Sequence, residues 1–289
     1  MLAALFLLIL VLMPSIGYTA GGAQRWLNLG FIRLQPGEIS KVFLIVYFAA
    51  YIDANWDRMS GLFPGALVPF GVMSMFGGLL LLEPDFGTTA VLGIVVFGQL
   101  FTASRLSHLL GIGLVGVMSA ALLISTSPYR MRRLSAFLDP FGAADTSGYQ
   151  LIQSLIAVGS GGLWGAGLGA GKQKLFYLPA AHTDFIFAVI AEELGLLGAL
   201  VVLILFGIIL VRGIKIARDL ADRPFHSALA IGCTLVVVVP ALLNVGVVTG
   251  LLPTKGLVLP LVAYGGTAMI VHLAVMGVLI RLSAESHEH

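Results

Sequence analysis

Charge is what this sequence has least of. Its 289 residues include 16 Lys or Arg and 14 Asp or Glu, where a soluble chain of that length would carry about 72 charged side chains. An ordinary water-soluble domain is excluded. A net charge of +2, scattered along the chain, offers no patch for neutralising phosphates, so nucleic acid is not a partner. One cysteine, Cys233, rules out an intrachain disulfide and a Cys-based metal site, and its place in an apolar run reads as a small core hydrophobe. No Walker lysine motif is present, which argues against an ATP-driven pump. The glycines between Gly159 and Gly171 lack the third glycine and the preceding strand of a dinucleotide fingerprint.

What the chain does have is apolar length. Hydrophobic residues make up 58% and the mean hydropathy is +1.02, gathered into runs of about 18 or more residues, enough for a helix to cross a bilayer. The expected fold is all-α: one polytopic transmembrane bundle over 1–289, a single integral membrane domain. Eight spans are expected, at 2–18, 36–53, 65–82, 84–103, 107–126, 184–211, 226–250 and 256–282. Pro36, Pro64 and Glu83-Pro84-Asp85 punctuate span starts, where proline and acids suit a helix N-terminus. The first stretch has neither a basic n-region nor an Ala-x-Ala cleavage site, and reads as a retained span rather than a signal peptide. An even span count puts both termini on one side. Arg58, Arg105, Arg212, Lys215, Arg218, Arg223 and Arg281 then oppose Arg25, Arg33, Arg130, Arg132, Arg133, Lys172, Lys174 and Lys255, so the bare count is balanced. Most of the second set lies on one long loop, which translocates whatever its charge, and the compact cluster from Arg212 to Arg223 favours cytoplasmic termini.

That long loop, about 127–183, is expected to do something, because long connections without structure are uncommon in compact bundles. It opens with Arg130, Arg132 and Arg133, passes Asp139-Pro140, and turns apolar and Gly-rich from Tyr149 to Gly171. Such a segment suits a re-entrant or interfacial structure in which glycines let backbones approach closely. The aromatic residues Trp26, Tyr51, Trp56 and Tyr177 near span ends suit an interfacial belt.

Ionisable residues within apolar spans cost about 2.5 to 3.5 kcal/mol on insertion scales and mark functional candidates. Glu38 and Lys41, three residues apart, share a helix face and can pair, which also fits a purely structural ion pair. Glu83 and Asp85 open a span, where helix-start acids are an adequate explanation; Asp85 gains interest if it faces the cavity of Lys41. His182-Thr183-Asp184 stands before a long apolar helix. A carboxylate there, partly desolvated and close to a histidine, is a candidate general base, although Thr183 or Asp184 could equally be a helix cap. Glu192 and Glu193 follow about two turns later. At 100° per residue Glu192 stands roughly 80° around from Asp184 and Glu193 opposite, so Glu192 is expected to line the same cavity.

These motifs resemble those of the SEDS family of bacterial cell-wall proteins (FtsW, RodA, SpoVE), most like the FtsW branch, end to end. The resemblance is carried by Ala23-Gln24-Arg25-Trp26, Gln35-Pro36-Gly37-Glu38-Ile39-Ser40-Lys41, Glu83-Pro84-Asp85-Phe86-Gly87-Thr88, Arg133 with Phe137-Leu138-Asp139-Pro140, and Gly148-Tyr149-Gln150. It continues through Leu178-Pro179 with His182-Thr183-Asp184, Glu192-Glu193-Leu194-Gly195, Asn244, Leu252-Pro253-Thr254-Lys255-Gly256 and Tyr264-Gly265-Gly266. Against the family's usual ten spans the chain starts at the third, and is expected to be N-terminally shortened by two. It departs from the family pattern at Gly21, Gly37, Ala180, Ala263 and Thr267-Ala268; the change at Ala180 removes an acid close to Asp184.

The resemblance implies a peptidoglycan glycosyltransferase polymerising lipid II at the extracytoplasmic face of the bacterial inner membrane during cell division. It implies partnership with a class B penicillin-binding protein and other divisome proteins, besides membrane lipid. In that chemistry Asp184 is the candidate base. Arg130, Arg132, Arg133, Lys172, Lys174, His182 and Thr183 are candidates for holding substrate and its pyrophosphate, with a divalent cation (Mg or Mn) as a candidate cofactor and no metal ligand assigned. Glu38, Lys41, Asp85, Glu192, Lys255 and Tyr264 are expected to organise a polar cavity. Two alternatives stay open at the level of sequence: a lipid II flippase or transporter, and a non-catalytic divisome scaffold. Against the transporter, the halves of the chain show no internal symmetry.

Overall fold

A computed structural model describes residues 1–20, 23–28, 30, 33–144, 148–173 and 178–287. Lys174 and Tyr177, expected on the long loop, and Gly21, a departure from the family pattern, lie outside the described residues. The helices are α1 (Leu2–Leu12), α2 (Pro36–Ala54), α3 (Val68–Leu82), α4 (Phe86–Leu100), α5 (Leu106–Ser125), α6 (Pro128–Leu138), α7 (Tyr149–Gly161), α8 (Ile186–Asp219), α9 (Pro224–Val248) and α10 (Gly266–His287). A π turn over Phe63–Leu67 leads into α3. A three-stranded antiparallel sheet, β1 (Gly17–Ala20), β2 (Ala23–Asn28) and β3 (Arg33–Leu34), follows α1.

The chain is mostly helical, and a helix stands at each of the eight expected span positions. Among the described residues, five helices are long and apolar enough to cross a membrane: Phe63–Leu82, Leu106–Ser125, Ile186–Asp219, Pro224–Val248 and Gly266–Ser286. The other three fall short for physical reasons. At 11 and 15 residues, α1 and α4 are shorter than a bilayer requires, and α2, though 19 residues long, carries Glu38, Lys41 and Asp53. On α5 nearly the whole surface is exposed and apolar, including Leu110, Leu114, Val117, Met118 and Leu122. In water such a face would drive association; against lipid tails it is at home.

Two expected spans are corrected. The first helix stops at Leu12 instead of running to 18, because Pro14 confines Met13 to extended backbone (φ −71°, ψ 123°) and the chain turns into β1. The last begins at Gly266 instead of 256: Pro260 lies in a stretch without helix, and the chain from Pro253 to Val258 is irregular. The long loop contains two helices, α6 and α7. On α6 the basic residues alternate with exposed Tyr129, Met131 and Leu138, a pattern fit for a headgroup boundary.

By its internal contacts the chain forms two compact units, Met1–Val115 with Ile209–Val239 and Gly266–His289, and Gly116–Ile208 with Pro240–Gly265. In the first, α2 packs on α1, α4 and α10 around Leu44, Ile45, Phe48 and Ile52. Buried Gln99 donates to Ile45 O (2.9 Å) and Ala228 O (3.0 Å), tying α4 to α2 and α9 on main-chain acceptors. Thr267 Oγ1 donates to Arg33 O (3.1 Å) and accepts from Gln35 N (3.2 Å), fastening the end of the sheet and the start of α2 to α10. In the second unit Ser154 of α7 donates to Val248 O at the end of α9 (2.8 Å).

Candidate functional site

Asp184 ends a tight turn just before α8. Thr183 N–H (3.1 Å) and Phe185 N–H (3.3 Å) both donate to Ala180 O, and Ala180 adopts a φ of 56° to close the turn. The turn is then fastened from two further segments of its unit. Tyr264 N–H donates to His182 O (3.0 Å). Asn244, buried in α9, donates from Nδ2 to Asp184 O (2.7 Å) and to Leu257 O (2.6 Å). The carboxylate of Asp184 is half-buried and leans on Gly256, where an added Cβ would sit 2.9 Å from Oδ2. The absence of a side chain at Gly256 lets the carboxylate sit against main chain there.

The same segment receives Arg133 from α6, whose Nη1 donates to Thr254 O (2.9 Å) while its guanidinium lies 4.8 Å over the Tyr129 ring. Arg133 and Asp184 therefore both bear on residues 254–256. Arg130 donates from Nη1 to Leu123 O (2.8 Å). Arg132, Lys172, His182 and Tyr264 are exposed; Thr183 and Lys255 are half-buried.

Glu192 is placed differently from the expectation. Because α8 begins at Ile186, Asp184 precedes the helix and the angular relation between the two acids does not apply. Glu192 is buried, and its Oε1 accepts Lys172 N–H (2.8 Å) and Gln173 N–H (3.3 Å). Glu193 Oε2 accepts Gly169 N–H (3.0 Å). Both acids thus face the Gly-rich loop.

The remaining polar candidates lie in the other unit. Glu38 and Lys41 form a buried ion pair at 2.6 Å. Asp85 caps α4, with Oδ1 accepting Thr88 N–H (3.1 Å) and Oδ2 accepting Thr88 Oγ1–H (2.8 Å). Its Oδ2 lies 3.8 Å from where a Cβ on Gly37 would stand, so Asp85 adjoins the first turn of α2 that bears Glu38. Beside it Glu83 is 1% exposed, and neither carboxylate oxygen has a hydrogen-bond partner among the described residues. Burial first, then the neighbouring Asp85 charge, push Glu83 up to about 8 against an opposing influence from Arg25. Arg25 donates from Nε to Glu83 O (3.1 Å) and from Nη2 to Pro84 O, clamping the main chain between α3 and α4.

Among the described residues no group of three or more His, Cys, Asp or Glu side chains gathers to hold a metal. Sequence reasoning undervalued Asn244 and Gly195, both quoted only within family motifs. A lone Asn in an apolar run, and a Gly two residues after paired acids, were the available signals.

A family model described as cell cycle protein, spanning FtsW, RodA and SpoVE, matches residues 1–288. The chain belongs to this family. It is 46% identical over 289 residues to the probable peptidoglycan glycosyltransferase FtsW of Legionella pneumophila, covering 99% of this chain and 73% of that protein. The corresponding FtsW of Thioalkalivibrio sulfidiphilus is 48% identical, with 99% and 72% covered. Among solved structures, a chain from work on structural coordination of polymerization and crosslinking by a peptidoglycan synthase complex matches with a TM-score of 0.76 and 32% identity, covering 99% of this chain and 80% of that one. The rod shape determining protein RodA of Thermus thermophilus matches with a TM-score of 0.64 and 30% identity, covering 96% and 74%.

Proposed function

We propose that this member of the family is a peptidoglycan glycosyltransferase that polymerises lipid II into glycan strands during bacterial cell division, at the extracytoplasmic face of the inner membrane. Asp184 is the general base. It takes the proton of the acceptor sugar hydroxyl as that oxygen bonds to the anomeric carbon of the donor and the bond from that carbon to the polyprenyl pyrophosphate breaks. The leaving pyrophosphate carries off the bonding pair and needs cationic neighbours. Arg133, which bears on the segment beside Asp184, and the exposed Arg132 and Lys172 supply them, with Arg130 and Lys174 as further candidates. The observation that carries this reading is the mounting of Asp184: main chain tied to Asn244 and, through His182, to Tyr264, with a half-buried carboxylate against Gly256. A base fixed at its main chain and partly desolvated spends little reorganisation when the acceptor arrives.

A class B penicillin-binding protein is the partner that would cross-link the product. The test supplies lipid II to the full-length protein with that partner and compares wild type with Asp184→Asn. Polymer formation should fall by about 10² to 10⁴-fold, the usual worth of a general base. Undiminished polymer from a folded variant removes Asp184 from the role, and lipid II redistribution in vesicles without polymer would favour a flippase.

A further inference from the structure

Helix α8 is interrupted at Gly195, with φ 66° and ψ −165°. In an unbroken helix the N–H groups of Leu196 and Leu197 would donate to the carbonyls of Glu192 and Glu193. Here they donate to Gly162 O (2.9 Å) and Leu163 O (3.4 Å) of the Gly-rich loop, and the loop returns Ala166 N–H to Glu192 O (2.9 Å) and Gly167 N–H to Glu193 O (3.0 Å). Two helical bonds are exchanged for four bonds to the loop, so the four main-chain groups those two bonds would have joined are all satisfied. The close approach needs glycine: a Cβ at Gly165 would stand 2.1 Å from Glu193 O.

The side chains of the same two acids extend the hold. Glu192, 4% exposed, accepts Lys172 N–H at 2.8 Å and shares Gln173 N–H between its two oxygens at 3.3 Å, while Glu193 accepts Gly169 N–H. Bonds to a carboxylate are about twice as strong as neutral ones. A buried acid spent on two consecutive N–H groups fixes the main chain at the residue whose exposed side chain is Lys172.

We propose that Glu192 is a positioning residue for glycosyl transfer, holding the main chain of the Gly-rich loop so that Lys172 meets the pyrophosphate of the lipid-linked donor. This rests on the glycosyltransferase reading above. Glu192 touches no reacting atom and acts through Lys172.

The experiment uses the full-length protein with its penicillin-binding partner and lipid II. Glu192→Ala, Glu192→Gln, Lys172→Ala and the double variant Glu192→Ala/Lys172→Ala are assayed for kcat and KM, and the amides of residues 166–173 are followed by hydrogen exchange. Glu192→Ala should expose the Lys172 and Gln173 amides to exchange and lower kcat/KM by up to about 10²-fold, the scale of a misplacement near 1 Å. Glu192→Gln, which keeps one acceptor oxygen, should recover part of both, and it also serves if the alanine variant does not fold. The double variant should be little worse than Lys172→Ala alone. Losses that multiply, an inert Lys172→Ala, or amides still protected in Glu192→Ala overturn the proposal. If Asp184 remains essential in that same preparation, the glycosyltransferase reading survives that result; if Asp184→Asn polymerises normally, that reading falls first.

Discussion

Glu83 provides a test of the electrostatics that needs no substrate. It is buried between α3 and α4 with both carboxylate oxygens unpartnered among the described residues, and burial together with Asp85 raises it to about 8. An unfolded glutamate titrates near 4.5, so between those two values the folded protein holds a proton that the unfolded chain has released. With more protons bound in the folded state, unfolding free energy falls as pH rises through this window. Below the unfolded value both states are protonated and nothing is lost. Each pH unit across the window removes about 1.4 kcal/mol, so the loss accumulated by pH 7 is about 3 kcal/mol. Glu83→Gln keeps the shape of the protonated acid and abolishes its titration. Thermal unfolding in lipid nanodiscs from pH 5 to 8 should show wild type losing stability along this slope, while Glu83→Gln stays flatter and is the more stable of the two at pH 8. Parallel curves for the two proteins would refute the reasoning, and a steeper fall in the variant would reverse its sign.

Three further outcomes follow from the geometry. Asn244→Ala strands Asp184 O and Leu257 O, at about 1 to 3 kcal/mol for each carbonyl left unsatisfied, and polymerisation should fall more in kcat than in KM because Asp184 loses its mounting. Lys41→Met leaves Glu38 as an unpaired buried charge, costing about 3 to 5 kcal/mol; the double variant Lys41→Met/Glu38→Gln should regain most of the melting temperature, and failure to regain it would mean the pair does more than neutralise itself. Gly195→Ala imposes a Cβ 2.4 Å from Gly165 N on a backbone conformation reserved for glycine, and should release the amides of residues 162–167 to hydrogen exchange.

Hydropathy made the helices legible, since a lipid-facing surface such as that of α5 must be apolar along its length. Their ends were less so. Pro14 and Pro260 break runs whose composition stays apolar on both sides, so a reading weighted to hydropathy passes through them into residues 13–18 and 256–265. The acids at 192 and 193 were recognised as out of place, and the glycines before them as a mark of close backbone approach. That each explains the other was not legible, because the exchange of main-chain bonds at Gly195 depends on contacts between segments some thirty residues apart. Asp184 was found by its position before an apolar helix, but its mounting by Asn244 and Tyr264 joins parts of the chain that no local pattern connects.

The acids of the family motifs can be sorted by what satisfies each carboxylate, and the sorting bears on which one can take a proton. Glu38 is committed to Lys41 at 2.6 Å, Asp85 spends both oxygens on Thr88, and Glu192 spends its own on Lys172 and Gln173 N–H. Each of these three is buried, at 3 to 4% exposed. Glu83 holds its proton at neutral pH and is equally enclosed. Asp184 differs in placement: its carbonyl accepts from Asn244, and the residue is part-exposed with its carboxylate against Gly256. Part exposure at a mounted turn is what separates Asp184 from the more deeply buried acids, and its neutral isostere should lower polymerisation by about 10² to 10⁴-fold.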